Sequence, residues 1–230
     1  GKRATSVGKG AVINMGPGSP TGISFGHHSN FPAPYQDKLF ICDWTFGSIY
    51  LIDMEEHGSS YVGTKTEFLN GQPLNISAMR FGPDGHMYFL VGGRNTDSRL
   101  YRIKYVGPSQ KGAGKRLVAN QDLRDLRHSL EVFHGNPHAG NQAITMAWPH
   151  LSHPDRNVRY AARLAIENQP VSLWQERVLR EEDQRALIHA SIALCRHGDP
   201  SLSHRILKKL NQIPFDSLAA EDQLALLRAY

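Results

Sequence analysis

Eighteen of the 21 glycines lie before residue 115, and only Gly135, Gly140 and Gly198 follow. Glycine supplies the left-handed backbone that tight turns need and weakens a helix interior by roughly 1 kcal/mol per residue relative to alanine. One uniform architecture therefore cannot run through the chain, and the backbone demands change near Gly114. Before that point short apolar runs alternate with turn signals, which predicts strands near Ala11–Met15, Gly22–Phe25, Lys38–Trp44, Ser48–Met54, Tyr61–Phe68, Ile76–Phe81, His86–Val91 and Leu100–Tyr105. Pro83-Asp84-Gly85 is a tight turn between two of these runs, with Pro fixing φ and Gly taking a positive one. Along Ser48–Met54, Ile49 and Leu51 point one way and Tyr50, Ile52 and Met54 the other. A strand apolar on both faces calls for cover on both, as a propeller blade stacked between its neighbours receives.

After Leu117 the period becomes helical. Ile144, Ala147, Trp148 and Leu151 form one apolar stripe; Val158, Ala161, Ala162 and Ala165 a second; Leu187, Ile188, Ser191, Ile192 and Cys195 a third. Leu202, Ile206, Leu207 and Leu210 follow, then Leu218, Leu224 and Leu227. Turns at His153-Pro154-Asp155, Gly198-Asp199-Pro200 and Ile213-Pro214 keep the helices short, so consecutive ones are expected to be antiparallel hairpins stacked on one another. Charges such as Arg177, Arg180, Glu181, Glu182, Asp183 and Arg185 read as a solvated face, with a protein-binding concave surface as the sharper alternative.

Hydrophobic residues make up 40% of the chain, enough to bury real cores. No run reaches the roughly 20 apolar residues of a membrane helix, and the start lacks the apolar stretch of a signal peptide, so any targeting sequence is expected to be missing or removed. The formal net charge is +5, but the basic residues are scattered; the largest group, Lys111, Lys115 and Arg116, lies among glycines and reads as a linker rather than a nucleic-acid patch. Cys42 and Cys195 stand one in each half without zinc or haem spacing, and two free, buried thiols are expected.

The ordered series Gly16-Pro17-Gly18-Ser19-Pro20-Thr21-Gly22, Leu39 to Trp44, Gly82 to Phe89, Gly92-Gly93-Arg94 and Leu100-Tyr101-Arg102-Ile103 resembles the last part of glucose/sorbosone dehydrogenase-like propellers. It is similar to the large multidomain versions of planctomycete-type bacteria, in which HEAT repeats and commonly a cytochrome c domain follow. Asp155 to Ala162 resembles a HEAT repeat, with a turn Asp, a buried Val and two small alanines. The resemblance implies a mixed fold with β and α segregated: about two blades of a six-bladed propeller over 1–108, a linker over 109–120, and a HEAT-like α-solenoid over 121–230. It further implies a piece of a larger periplasmic or otherwise extracytoplasmic protein. That parent would be either a quinone-dependent sugar oxidoreductase passing electrons to a cytochrome, or a non-catalytic scaffold binding carbohydrate or protein.

Family dehydrogenases hold a quinone and calcium with basic side chains on blade loops. Counted without gaps from the Pro83-Asp84-Gly85 turn, two arginine positions fall on Asn75 and Ser77, and a lysine position falls on Thr45. No quinone or calcium ligand is therefore carried over to this chain, which is expected to lack activity by itself. Asp43 and Trp44, at a strand end before Gly47, and Arg94, after a glycine pair, are the ligand-binding candidates, each with a structural alternative in turn bonding or packing. His27 with His28, and His134 with His138, have the look of metal pairs, but neither has a third ligand nearby in sequence.

Overall fold

The computed structural model describes residues 11–93, 96–108 and 119–230. The chain divides into two compact units, Ala11–Ala119 and Asn120–Tyr230. Most of the expected linker lies outside the described residues.

Among the described residues, the first unit holds seven strands and a short helix: β1 (Pro20–Phe25), α1 (Ala33–Gln36), β2 (Leu39–Asp43), β3 (Ser48–His57), β4 (Ser60–Asn70), β5 (Ile76–Phe81), β6 (Met87–Gly93) and β7 (Thr96–Ile103). They form one four-stranded sheet, β1-β2-β3-β4, and one three-stranded sheet, β5-β6-β7, both antiparallel. Neither sheet closes, and this corrects the expectation of a two-blade propeller segment with eight strands. The segment 11–15 forms no strand. It touches β4 through a single backbone bond, from the Gly63 amide to the Val12 carbonyl at 2.9 Å, and through Lys65 Nζ on the Met15 carbonyl. The demand for cover on both faces also ends partway along β3. Ser48, Ile49 and Ile52 are buried, but Asp53, Glu55 and His57 are exposed where the β3–β4 hairpin runs past the core.

A single apolar cluster serves both sheets, drawing Phe31, Phe40, Cys42 and Ile49 together with Ile76, Met79, Met87, Phe89 and Val91. Two polar links join the sheets beside it. Thr21 Oγ1 donates to the Ile76 carbonyl at 2.6 Å, and Trp44 Nε1 donates to the Gly92 carbonyl at 2.8 Å.

The second unit contains α2 (Gln121–Glu131), α3 (Asn141–Ala147), α4 (Arg156–Glu167), α5 (Gln175–Arg180), α6 (Gln184–His197), α7 (Ser203–Leu210) and α8 (Ala220–Ala229), with 3-10 turns in four of the connections. α4 touches α2 and α6, α6 touches α8, and α3, α5 and α7 lean on α4 or α6. An α-solenoid is not established, since the helices range from 6 to 14 residues instead of repeating one unit. Asp155 and Asp183 cap α4 and α6, each carboxylate accepting backbone N–H groups of the first turn. The stripe Val158, Ala161, Ala162 and Ala165 is buried, the alanines letting α2 and α6 approach α4 closely. Several expected core positions are corrected, Leu207 of α7 among them, which is 39% exposed. Cys195 is exposed, and on α8 it is Ala225, Leu226 and Ala229 that are buried while Leu224 and Leu227 face outward. Nothing within α8 distinguishes these two phases, because leucines occupy both; the position of α6 against it selects one.

Candidate functional site

The first unit carries a groove of about 530 Å³ lined by Phe25, His27, Ala33, Pro34, Asp37, Lys38, Asp53, Met54 and Tyr61. Four stretches of chain build it: the end of β1, the α1 loop, the start of β2, and the β3–β4 hairpin. Gly26 makes the first of these work. A Cβ at that position would stand 2.4 Å from the Tyr35 carbonyl oxygen, so only glycine lets the strand end pass this close to α1. The Gly26 amide donates to the Lys38 carbonyl, which extends the β1–β2 pairing by one bond. On either side of Gly26, the rings of Phe25 and His27 stack with centroids 4.9 Å apart and planes 12° from parallel. Phe25 remains 41% exposed, so an apolar face is open to the groove's solvent side.

The charged part of the groove follows from strand register. Leu39 pairs with Ile52, so the next position out sets Lys38 opposite Asp53, and the two side chains form an ion pair. On β4, Tyr61 pairs with Glu56, which brings its ring to the same end of the hairpin as Met54. The result is a shallow hollow with aromatic and thioether surface on its walls and an ammonium and two carboxylates among them. Cavities of this size suit a small ligand, and the mixture allows both hydrogen-bond donation and acceptance.

The residues singled out from sequence lie elsewhere and have structural work. Asp43 is buried; its Oδ2 accepts the Ser19 amide at 3.2 Å and its Oδ1 accepts the Phe46 amide at 2.9 Å. A Cβ on Gly18, which has φ +150°, would fall 2.0 Å from that carboxylate, so the glycine-rich turn is shaped around Asp43. Trp44 spends its indole N–H on Gly92 and its backbone on Ser19 and Asn75. Arg94 lies outside the described residues. Thr45, Asn75 and Ser77 bond Ser19 Oγ, the Trp44 carbonyl and the Leu90 carbonyl respectively. His134 Nε2 is bonded to the Ala161 carbonyl at 2.9 Å, and His27 is stacked on Phe25. Among the described residues no group of three or more His, Cys, Asp or Glu side chains could hold a metal ion. Nor is any described helix long and apolar enough to cross a membrane. Burial pushes the Cys42 thiol up to about 12, which leaves it protonated at neutral pH.

The second unit hides charges that periodicity treats as surface. Arg159 and Arg163 on α4 are 1% exposed. Arg159 donates to the His153 and Pro154 carbonyls and pairs with Glu221; Arg163 pairs with Glu167 at 2.9 Å. Glu167 also receives Arg196 at 3.2 Å, and Arg185 makes a two-pronged contact with Asp222. Burial lowers the Arg163 pKa, with Glu167 opposing that shift. His189 sits among these groups and is driven down to about 3, first by burial and then by Arg159 and Arg163. Beside them, burial alone would raise the Glu181 carboxyl, but the Trp148 indole, the Asp183 and Glu182 amides and Arg177 together bring it below its usual range. These are bonds that orient helices.

No family model matches the chain, and neither a curated protein nor a solved structure does. The groove geometry thus carries the functional reading. The sequence marks His27 only as half of a metal pair and gives Phe25, Lys38, Asp53 and Tyr61 no role in a site. The available signal was the Phe-Gly-His spacing, which places two rings on one side of an extended strand.

Proposed function

We propose that the chain is a non-catalytic binding module whose first unit holds a neutral saccharide in the groove between Phe25 and Tyr61. The observation that carries this reading is the exposed Phe25–His27 stack beside the Lys38–Asp53 pair. A sugar ring presents C–H groups on one face and hydroxyls around its edge. The first suit an aromatic face, and the second suit carboxylates that accept and an ammonium that donates. The openness of the groove favours binding over chemistry, because a reacting centre gains most where water is excluded. The oxidoreductase reading has less support: an anionic quinone needs cations, and Thr45, Asn75 and Ser77 bring none. The extracytoplasmic location implied by the resemblance belongs to the same proposal.

Titration with a panel of neutral mono- to tetrasaccharides, followed by ligand-observed NMR and calorimetry, tests it. At least one sugar is expected to bind in the micromolar to millimolar range. Phe25→Ala and Tyr61→Ala are each expected to weaken it by roughly two- to tenfold, the worth of one aromatic contact. Retention of full affinity in both variants would remove the groove as the site.

A further inference from the structure

Positions 121–230 contain thirteen basic and thirteen acidic residues, yet they are unevenly spread. α7 carries Arg205, Lys208 and Lys209 and no acid. With Leu179 of α5 and with Gln212, these three line a hollow of about 400 Å³. Arg205 is matched, its guanidinium gripping Glu176 at 3.0 and 3.1 Å. That carboxylate also feels Arg180, so the acid beside the hollow is already neutralised. Among the described residues no ion pair joins Lys208 or Lys209 to a carboxylate.

The dipole of α7 favours cations in its last turn, which accounts for two lysines there. It does not account for Arg205 in the first turn, where the dipole is unfavourable, nor for the gathering of all three around Leu179. Leu179 is only partly buried and gives the hollow an apolar floor.

We infer that this hollow is a docking site for an acidic segment of a protein partner, with carboxylates meeting Lys208 and Lys209 and an apolar side chain resting on Leu179. Charge complementarity selects the acid, and the apolar floor selects a peptide. A nucleic-acid strand is disfavoured because no aromatic ring lines the hollow for a base to stack on, and three clustered cations do not form a track along a backbone. The surface is separate from the saccharide groove, so either reading can fail alone.

The test is fluorescence anisotropy of the full chain with a labelled ten-residue peptide of alternating Glu and Leu, beside a peptide with Gln in place of Glu. The acidic peptide is expected to bind, and to weaken several-fold between 50 and 300 mM salt as screening rises. Lys208→Glu/Lys209→Glu is expected to lower its affinity at least tenfold with unchanged circular dichroism. Arg156→Glu/Arg228→Glu, an equal change in net charge on exposed positions of α4 and α8, is expected to leave most of it. Absence of binding at low salt, an equal loss in the control pair, or tighter binding of a single-stranded oligonucleotide of the same charge would each overturn the inference.

Discussion

Single residues in the first unit do work that their chemistry permits but their neighbours in sequence do not announce. Asp43 is a polar end to a buried strand, and its two oxygens satisfy amides 24 residues before it and three residues after it. Removing the carboxylate leaves both part-buried amides without this partner, at about 1–3 kcal/mol, the range for a lost hydrogen bond with a charged acceptor. Asp43→Ala is therefore expected to lower the unfolding free energy from denaturant titration by about that amount, with Asp43→Asn losing less because one amide oxygen still accepts. Equal losses in the two variants would show that packing, and not these bonds, holds the turn. His189 behaves differently: it is a titratable group kept neutral by burial and by the cations that face it, Arg159 and Arg163 from α4 and Arg185 from its own helix, with Asp222 of α8 opposing them.

At the scale of elements, local chemistry chooses where helices begin, and neighbours choose which face they bury. Asp155 Oδ1 accepts the Asn157 and Val158 amides at 2.9 Å each, ending the turn that starts at His153-Pro154 and opening α4. Asp155→Ala is expected to cost about 1 kcal/mol, the usual worth of an N-cap, and Asp155→Ser is expected to restore most of it. Thermal melts of the three proteins decide this, and a serine variant no better than alanine would sink the capping role. Among the strands, β7 shows the opposite dependence. Its sequence alternates adequately, but Leu100 is 65% exposed because β7 pairs with β6 alone and nothing described covers its outer face.

For the whole molecule, two units with separate apolar cores predict two steps on unfolding. Only the helical step should carry the His189 signature. The folded pKa, about 3, lies below the ordinary value of 6.5, so the unfolded chain binds the extra proton between these limits. Stability contributed by neutral His189 is full above pH 6.5 and is lost as pH falls toward 3, with a slope approaching 1.4 kcal/mol per pH unit. Scanning calorimetry from pH 7.5 to 4 is expected to show the helical transition moving down faster in the native chain than in His189→Gln. Parallel lines for the two proteins would show that His189 is not protonated by unfolding.

The sequence by itself determined the change from strands to helices along the chain, the strand read over Lys38–Trp44, of which Leu39–Asp43 forms, and the buried stripe of Val158, Ala161, Ala162 and Ala165. These follow from turn residues and from periods of two or 3.6, which are local. It also made the Asp155 turn legible, since a cap acts within three residues. Only the tertiary structure decided that seven strands form two open sheets over one shared core, because strand count and closure depend on pairing across the unit. Likewise the groove needs Phe25 and His27, Lys38, Asp53 and Tyr61 from distant segments, brought together by the β2–β3 and β3–β4 registers and by the passage of Gly26 against α1. Arg159 and Arg163 look like surface charge in any window of sequence. They are buried because their partners, Glu221 and the carbonyls of the His153 turn for one and Glu167 for the other, compensate the cost of leaving water, and part of that compensation comes from residues some sixty positions away.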